Sequence, residues 1–243
     1  MTSTACKNCP LRKRTLFTPF TDDELAFMQT FKTGELKVAP GTTILLEGST
    51  SPQLFTVLSG MGTRYTTLEN GKRQVINFLF PGDFAGLQAG LMGEMMHSVE
   101  ASTHMTLCVF RRGDMWNLFR QHPGRAYDLT WIAAVEEHFL GETIASLGQR
   151  DATQRIAWAL VRIHERLKAA GMYKDNRVPL PFRQQDLADA LGLSLVHTNK
   201  TLKALRAKGL AQWSDGSLEL KKIAALADLA MIDLERPQQR PLM

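Results

Sequence analysis

Residues 184–210 limit the possible folds more than any other stretch of the chain. They read Gln-Gln-Asp-Leu-Ala-Asp-Ala-Leu-Gly-Leu-Ser-Leu-Val-His-Thr-Asn-Lys-Thr-Leu-Lys-Ala-Leu-Arg-Ala-Lys-Gly-Leu. Leu187, Ala188 and Leu191 give a short helix one apolar face, and Gly192 ends it. Ser194 then restarts the chain, and the buried stripe of a second helix is expected at Thr198, Leu202 and Leu205. Two helices joined by a three- to four-residue turn with a glycine form a helix-turn-helix, which lays its second helix in the DNA major groove. The outward positions are then Val196, His197, Asn199, Lys200 and Lys203, none of them a carboxylate. Arg183 and Gln184 at the start of the first helix, and Ser194 at the turn, complete the expected DNA-binding set.

The flanking residues turn this pair into a domain. Asp215-Gly216 lies between two short alternating runs within 210–220, a hairpin signal, and a hairpin directly after a recognition helix is a wing. Upstream, Asp151 caps a helix with Ile156, Leu160, Ile163 and Leu167 on one face, ending near Gly171. After residue 151 there are 15 Lys and Arg against nine Asp and Glu. Up to residue 151 there are 14 against 15, so the net +5 belongs to the second half. That is the footprint of a phosphate-facing surface, although solvated lysines on helix faces would give the same total.

Residues 33–112 follow another pattern. Gly34, Gly41, Gly48, Gly60, Gly62, Gly71 and Gly82 punctuate short runs rich in Val, Ile, Leu, Phe and Thr, as in a sandwich or barrel. Asn70-Gly71 is expected to join 63–68 to 73–78 as a two-residue hairpin. Residues 124–147 read as a helix about 35 Å long at 1.5 Å per residue. Its stripe of Leu129, Ile132, Val135, Phe139, Leu140, Ile144 and Leu147 needs a cover, and a second copy of the chain is the economical one.

This order of parts resembles the Crp/Fnr superfamily of bacterial transcription regulators, over nearly the whole chain. The matching motifs are Pro40-Gly41-Thr42, Leu58-Ser59-Gly60, Phe80-Pro81-Gly82-Asp83-Phe84, Asp151 with Arg155-Ile156-Ala157, and Asp186-Leu187-Ala188-Asp189 through Leu193-Ser194. The resemblance implies an α+β chain with an N-terminal cyclic-nucleotide-binding-like β-roll (a jelly roll), a long dimerisation helix and a C-terminal winged helix-turn-helix. The expected divisions are 1–32 (a Cys-x-x-Cys segment and short helix), 33–122 (β-roll), 123–150 (dimer helix and hinge) and 151–243 (winged helix). It also implies a homodimer on an inverted-repeat DNA operator, with RNA polymerase as a further partner.

The departures from the family bear on the signal. Members that bind cyclic AMP carry a Glu after the Gly-Asp-Phe turn and an Arg before the next strand. Here Leu87 stands at the first place, and 92–99 holds no Arg. A cyclic phosphate would be buried without a cation, so cyclic AMP binding is not expected. An effector pocket, if retained, would draw on Phe84, Leu87, Gln88, Met92, Met96 and His97, with the Met cluster otherwise read as core filling. Fnr-like members read their half-site through Glu-x-x-Ser-Arg, and the matching residues are Val196, Asn199 and Lys200.

Cys6, Cys9 and Cys108 fall where Fnr proteins hold three of four iron–sulfur ligands, and Thr15 stands at the fourth place. A cluster normally takes four thiolates. Three readings stay open: an iron–sulfur or other metal centre, a thiol redox sensor, or structural cysteines. Three unpaired cysteines fit a reducing cytoplasm. No apolar run approaches a membrane span, and Lys7 and Arg12 to Arg14 have no apolar stretch behind them, so no secretory signal is expected. No Gly-rich phosphate loop, Gly-x-Ser-x-Gly or His-Glu-x-x-His motif is present, so no enzyme is expected. Two rivals remain: a sensor whose DNA binding is vestigial, and a winged helix used for protein contact, whose outward face would be apolar.

Overall fold

A computed structural model describes residues 3–234 and 238–243. It divides the chain into two compact units, Met1–Val135 with Gln239–Met243, and Glu136–Gln238.

The first unit opens with two short 3-10 turns, Cys6–Asn8 and Pro10–Lys13, and helix α1, Asp22–Phe31. Thr21 starts α1 through a reciprocal cap: its hydroxyl accepts from Glu24 N at 3.2 Å, and the Glu24 carboxylate accepts from Thr21 N at 2.8 Å. Strands β1 (Lys32–Val38), β2 (Thr43–Leu45), β3 (Gln53–Ser59), β4 (Gly62–Thr67), β5 (Arg73–Leu79) and β6 (Phe84–Ala85) follow. After helix α2 (Leu87–Met92) come β7 (Ser98–Ala101) and β8 (Met105–Arg111). They form two antiparallel sheets, β1-β8-β3-β6 and β2-β7-β4-β5. Phe55, Val57, Leu79, Val99 and Leu107 fill the space between them, as alternating strands of a sandwich require. The β4–β5 connection corrects the expected two-residue hairpin. Gly71 N donates to Leu68 O and Leu68 N to Lys72 O, so three residues bridge the strands and Gly71, at φ +76°, takes the left-handed place.

Helices α3 (Met115–Gln121) and α4 (Pro123–Gln149) come next. The expected stripe on α4 is divided. Leu129 and Ile132 are buried in the first unit's own core with Phe31, Phe84 and Phe110. In the second unit Phe139 stacks on Trp158 at 6.1 Å between ring centres. Leu129 and Ile132 therefore have covers within the chain, and Phe139 is half-buried against Trp158. Val135, Leu140 and Ile144 stay exposed, with Leu147 half-buried.

The second unit continues with α5 (Ala152–Ala169), β9 (Arg177–Pro179), α6 (Gln184–Leu191), α7 (Leu195–Ala207), β10 (Ala211–Ser214), β11 (Ser217–Leu220) and α8 (Ile223–Ala230). Asp151 caps α5, accepting from Thr153 N and Gln154 N at 2.8 and 2.9 Å. Ile156, Leu160, Ile163 and Leu167 are buried as their spacing predicts. The wing is three-stranded, β10-β11-β9; the three-residue β9 was too short to read from alternation. Asp215 and Gly216 turn it with φ of +52° and +67°, the doubly left-handed turn that suits a tight hairpin. The expected domain boundaries at 150/151 and 243 differ from this division: the first unit takes α4 as far as Val135 and recovers Gln239–Met243.

Candidate nucleic-acid interface and the cysteine cavity

Three devices fix α6 and α7. Gly192, at φ +63°, ends α6 in the left-handed conformation. Arg155 of α5 donates to Leu191 O at 3.3 Å, satisfying a carbonyl that the helix end leaves open. Ser194 then caps α7 by accepting from His197 N at 3.2 Å. Thr198, Thr201 and Leu205 are buried, with Leu202 half-buried, so Thr201 takes the deeper place expected for Leu202.

The opposite face carries Ser194, Val196, His197, Asn199, Lys200 and Lys203, all exposed. Val196 is 79% exposed although apolar, which leaves its methyl groups available to a partner surface. Arg206 and Lys208 extend the basic face beyond the set read from sequence, and α7 contains no acidic residue. The i+3 spacing that runs from Lys200 through Lys203 to Arg206 was the signal that would have found Arg206. Arg183 and Gln184 are a qualified match. The Arg183 guanidinium pairs with the buried Asp186 carboxylate at 2.6 Å, and Gln184 is half-buried.

The β-roll residues suggested for an effector do not share one environment. Phe84 is buried among aromatics, Leu87, Gln88 and His97 are half-buried, and Met92 and Met96 are 62% and 47% exposed. Of that Met cluster only Met95 fills the core, which corrects the core-filling reading for its neighbours. Gln88 is committed to Met96 N at 3.1 Å. Sequence reasoning missed Arg64, a buried β4 cation whose guanidinium donates to Phe84 O at 2.6 Å.

Cys6, Cys9 and Cys108 do converge. All three line one cavity with Leu11, Lys32 and Thr56, holding roughly 430 Å³ of space including its open mouth. Burial pushes the Cys108 thiol up to about 11, against the pull of the nearby Lys32 ammonium. Burial likewise raises Cys6, whose thiol donates to Met28 O at 3.5 Å. Lys32 keeps its charge despite burial because Glu35 lies 2.8 Å away. These residues do not fit an iron–sulfur cluster or another metal centre. Among the described residues no three Cys, His, Asp or Glu are arranged to hold an ion. Thr15 supplies no thiolate, and Leu242 and Met243 occupy the cavity wall. Of the three readings open for Cys6, Cys9 and Cys108, the metal centre is the one this geometry does not support.

Residues 35–122 match the cyclic nucleotide-binding domain family, and residues 154–229 match the Crp-like helix-turn-helix domain. The FixK nitrogen fixation regulation protein of Rhizobium meliloti is 31% identical over 191 residues, covering 78% of this chain and 84% of that protein. The chain belongs to the Crp/Fnr family. FnrL of Cereibacter sphaeroides, a transcriptional activator protein, is 28% identical over 231 residues, covering 93% of this chain and 90% of that protein. The solved structure of FixK2 from Bradyrhizobium japonicum superposes with a TM-score of 0.74 at 23% identity, covering 83% of this chain and 98% of that one, which confirms the fold. Like its relatives, this Crp/Fnr protein is a transcription regulator with a DNA-binding helix-turn-helix. Among the described residues no helix is long and apolar enough to cross a membrane.

Proposed function

We propose that the chain acts as a cytoplasmic, non-enzymatic homodimer that reads an inverted-repeat operator and works with RNA polymerase at promoters. One observation carries this reading: α7 is capped and braced, and its exposed face holds Asn199, Lys200 and Lys203 with no acidic side chain. Asn199 suits a bidentate contact to adenine, Lys200 reaches guanine O6 and N7, and Val196 meets a thymine methyl. Lys203, Arg206 and Lys208 are placed for phosphates, which position but do not specify. In the second unit the exposed Leu140 and Ile144, with the half-buried Leu147, supply an apolar α4 surface for the partner copy. An apolar recognition face, as a protein-docking winged helix would need, is not what α7 presents.

The test is selection from random duplexes with the purified protein. The expected product is an inverted repeat with half-sites roughly one helical turn apart. Recovery of no repeat, or of single half-sites only, overturns the docking.

A second reading concerns the signal. The convergence of Cys6, Cys9 and Cys108 on one cavity supports thiol chemistry as the input, whereas Leu87 leaves cyclic AMP without its carboxylate partner. Titration of diamide into the protein–DNA complex should change its affinity, and cyclic AMP should not. An unaltered affinity with fully oxidised thiols removes this reading.

A further inference from the structure

The segment Gln239–Met243 is seated in the first unit by contacts that come from four separate places in the chain. Arg240 N donates to Leu16 O at 2.8 Å, and Thr18 N to Arg240 O at 2.9 Å, which forms a short parallel bridge beside Phe17. The Arg240 guanidinium meets the Asp83 carboxylate at 3.0 Å, and Asp83 is 2% exposed. Asp83 belongs to the Phe80-Pro81-Gly82-Asp83-Phe84 turn and is held by Phe80 N at 2.7 Å. A Cβ on Gly82 would fall on the Phe17 ring, so the glycine makes room for the residue that bridges to Arg240. Thr56 Oγ1 donates to Met243 O, and the buried Arg125 guanidinium donates to Leu242 O.

The two side chains that follow go into the cysteine cavity. Leu242 packs in a cluster with Leu11, Phe17 and Leu58, against which Cys9 and Cys108 also lie. Met243 packs with Met28, Phe84 and Phe110, alongside Cys6 and Cys108. Both residues are buried.

We propose that residues 239–243 form a releasable plug over a thiol pocket, shielding Cys9 and Cys108 when seated and opening them to soft, thiol-reactive electrophiles when it leaves. The site rests on this geometry alone and holds whether or not the thiols carry the regulator's signal. A five-residue segment secured by one ion pair, a few hydrogen bonds and two apolar side chains belongs to the least stable layer of a structure, which opens before the core does. Its departure leaves the sandwich of the first unit intact, because neither sheet includes it.

Iodoacetamide tests the plug on the intact chain. The thiol gives its proton to solvent, sulfur forms a bond to the reagent's methylene carbon, and iodide leaves. Alkylation of each cysteine is followed by mass spectrometry in the natural chain, in Arg240→Ala, and in a chain ending at Gln238. Cys108 should react at least tenfold faster in both variants. The synthetic peptide Gln-Arg-Pro-Leu-Met, added to the shortened chain, should restore protection, and the same peptide with Ala for Arg should not. Equal rates in all three proteins overturn the proposal. So does a faster rate that the peptide fails to reverse, since that marks a loosened fold and not a vacated seat.

Discussion

At the scale of single residues, Asn199 and Lys203 share one helix face and should fail in different ways. Asn199→Ala should cost about 1–3 kcal/mol on the selected operator and relax preference at one base pair in each half-site. Lys203→Ala should weaken all duplexes alike and flatten the salt slope by about one unit per protomer. Fluorescence anisotropy on matched and substituted duplexes separates the two, and an unchanged sequence preference in Asn199→Ala would exclude it as a base reader. His164 makes a prediction about pH. Burial, with the Lys168 ammonium behind it, lowers the imidazole pKa, and the ring lies edge-on to Tyr173. The unfolded chain therefore binds the proton more readily, so stability is full above the ordinary value of about 6.5 and falls as pH drops through it. Thermal melts between pH 8 and 5 should show that loss, and His164→Gln should flatten it. Outward residues such as Asn199 were legible because helical period assigns a face. The Arg183–Asp186 pair was not, because the first turn of a helix can aim a long side chain either at DNA or back at its own carboxylate.

At the scale of elements, α4 shows how far periodicity goes and where it stops. The 3.6-residue pattern located the helix within two residues at each end, since caps and apolar spacing are local properties. What covers the stripe is not local. Leu129 and Ile132 belong to the β-roll core and Phe139 to Trp158, so substitutions there report on folding within one chain. Ile144, 71% exposed, is the position that tests association. Ile144→Glu places two charges in the proposed seam and should convert the dimer to monomer in sedimentation equilibrium, with the monomer's melting temperature unaltered. A persistent dimer assigns the interface elsewhere. Phe139→Glu, by contrast, removes the stack on Trp158 from a half-buried position and should lower the melting temperature of the single chain. The β4–β5 loop teaches the same lesson at smaller scale: Asn70-Gly71 announced a hairpin, but the register of the strands set whether two or three residues crossed it.

For the whole molecule, composition spoke about charge and kept silent about connectivity. The return of Gln239–Met243 to the first unit left no trace in the pattern, because Gln-Arg-Pro-Leu-Met has neither helical nor strand period and is held by residues more than 100 positions away. The concentration of positive charge after residue 151 was legible, and it yields a prediction about the assembled dimer. Lys200, Lys203, Arg206 and Lys208 stand exposed on or just beyond α7. If Lys203, Arg206 and Lys208 meet phosphates in each protomer while Lys200 reads a base, six neutralised phosphates release counterions, and the slope of log K against log salt should be about −5 at −0.9 per phosphate. Between 50 and 200 mM salt that amounts to a loss of about three orders of magnitude in affinity, far more than any single base contact supplies. A slope shallower than about −2 would mean that the basic half of the chain does not face the duplex, and the α7 docking would fall with it.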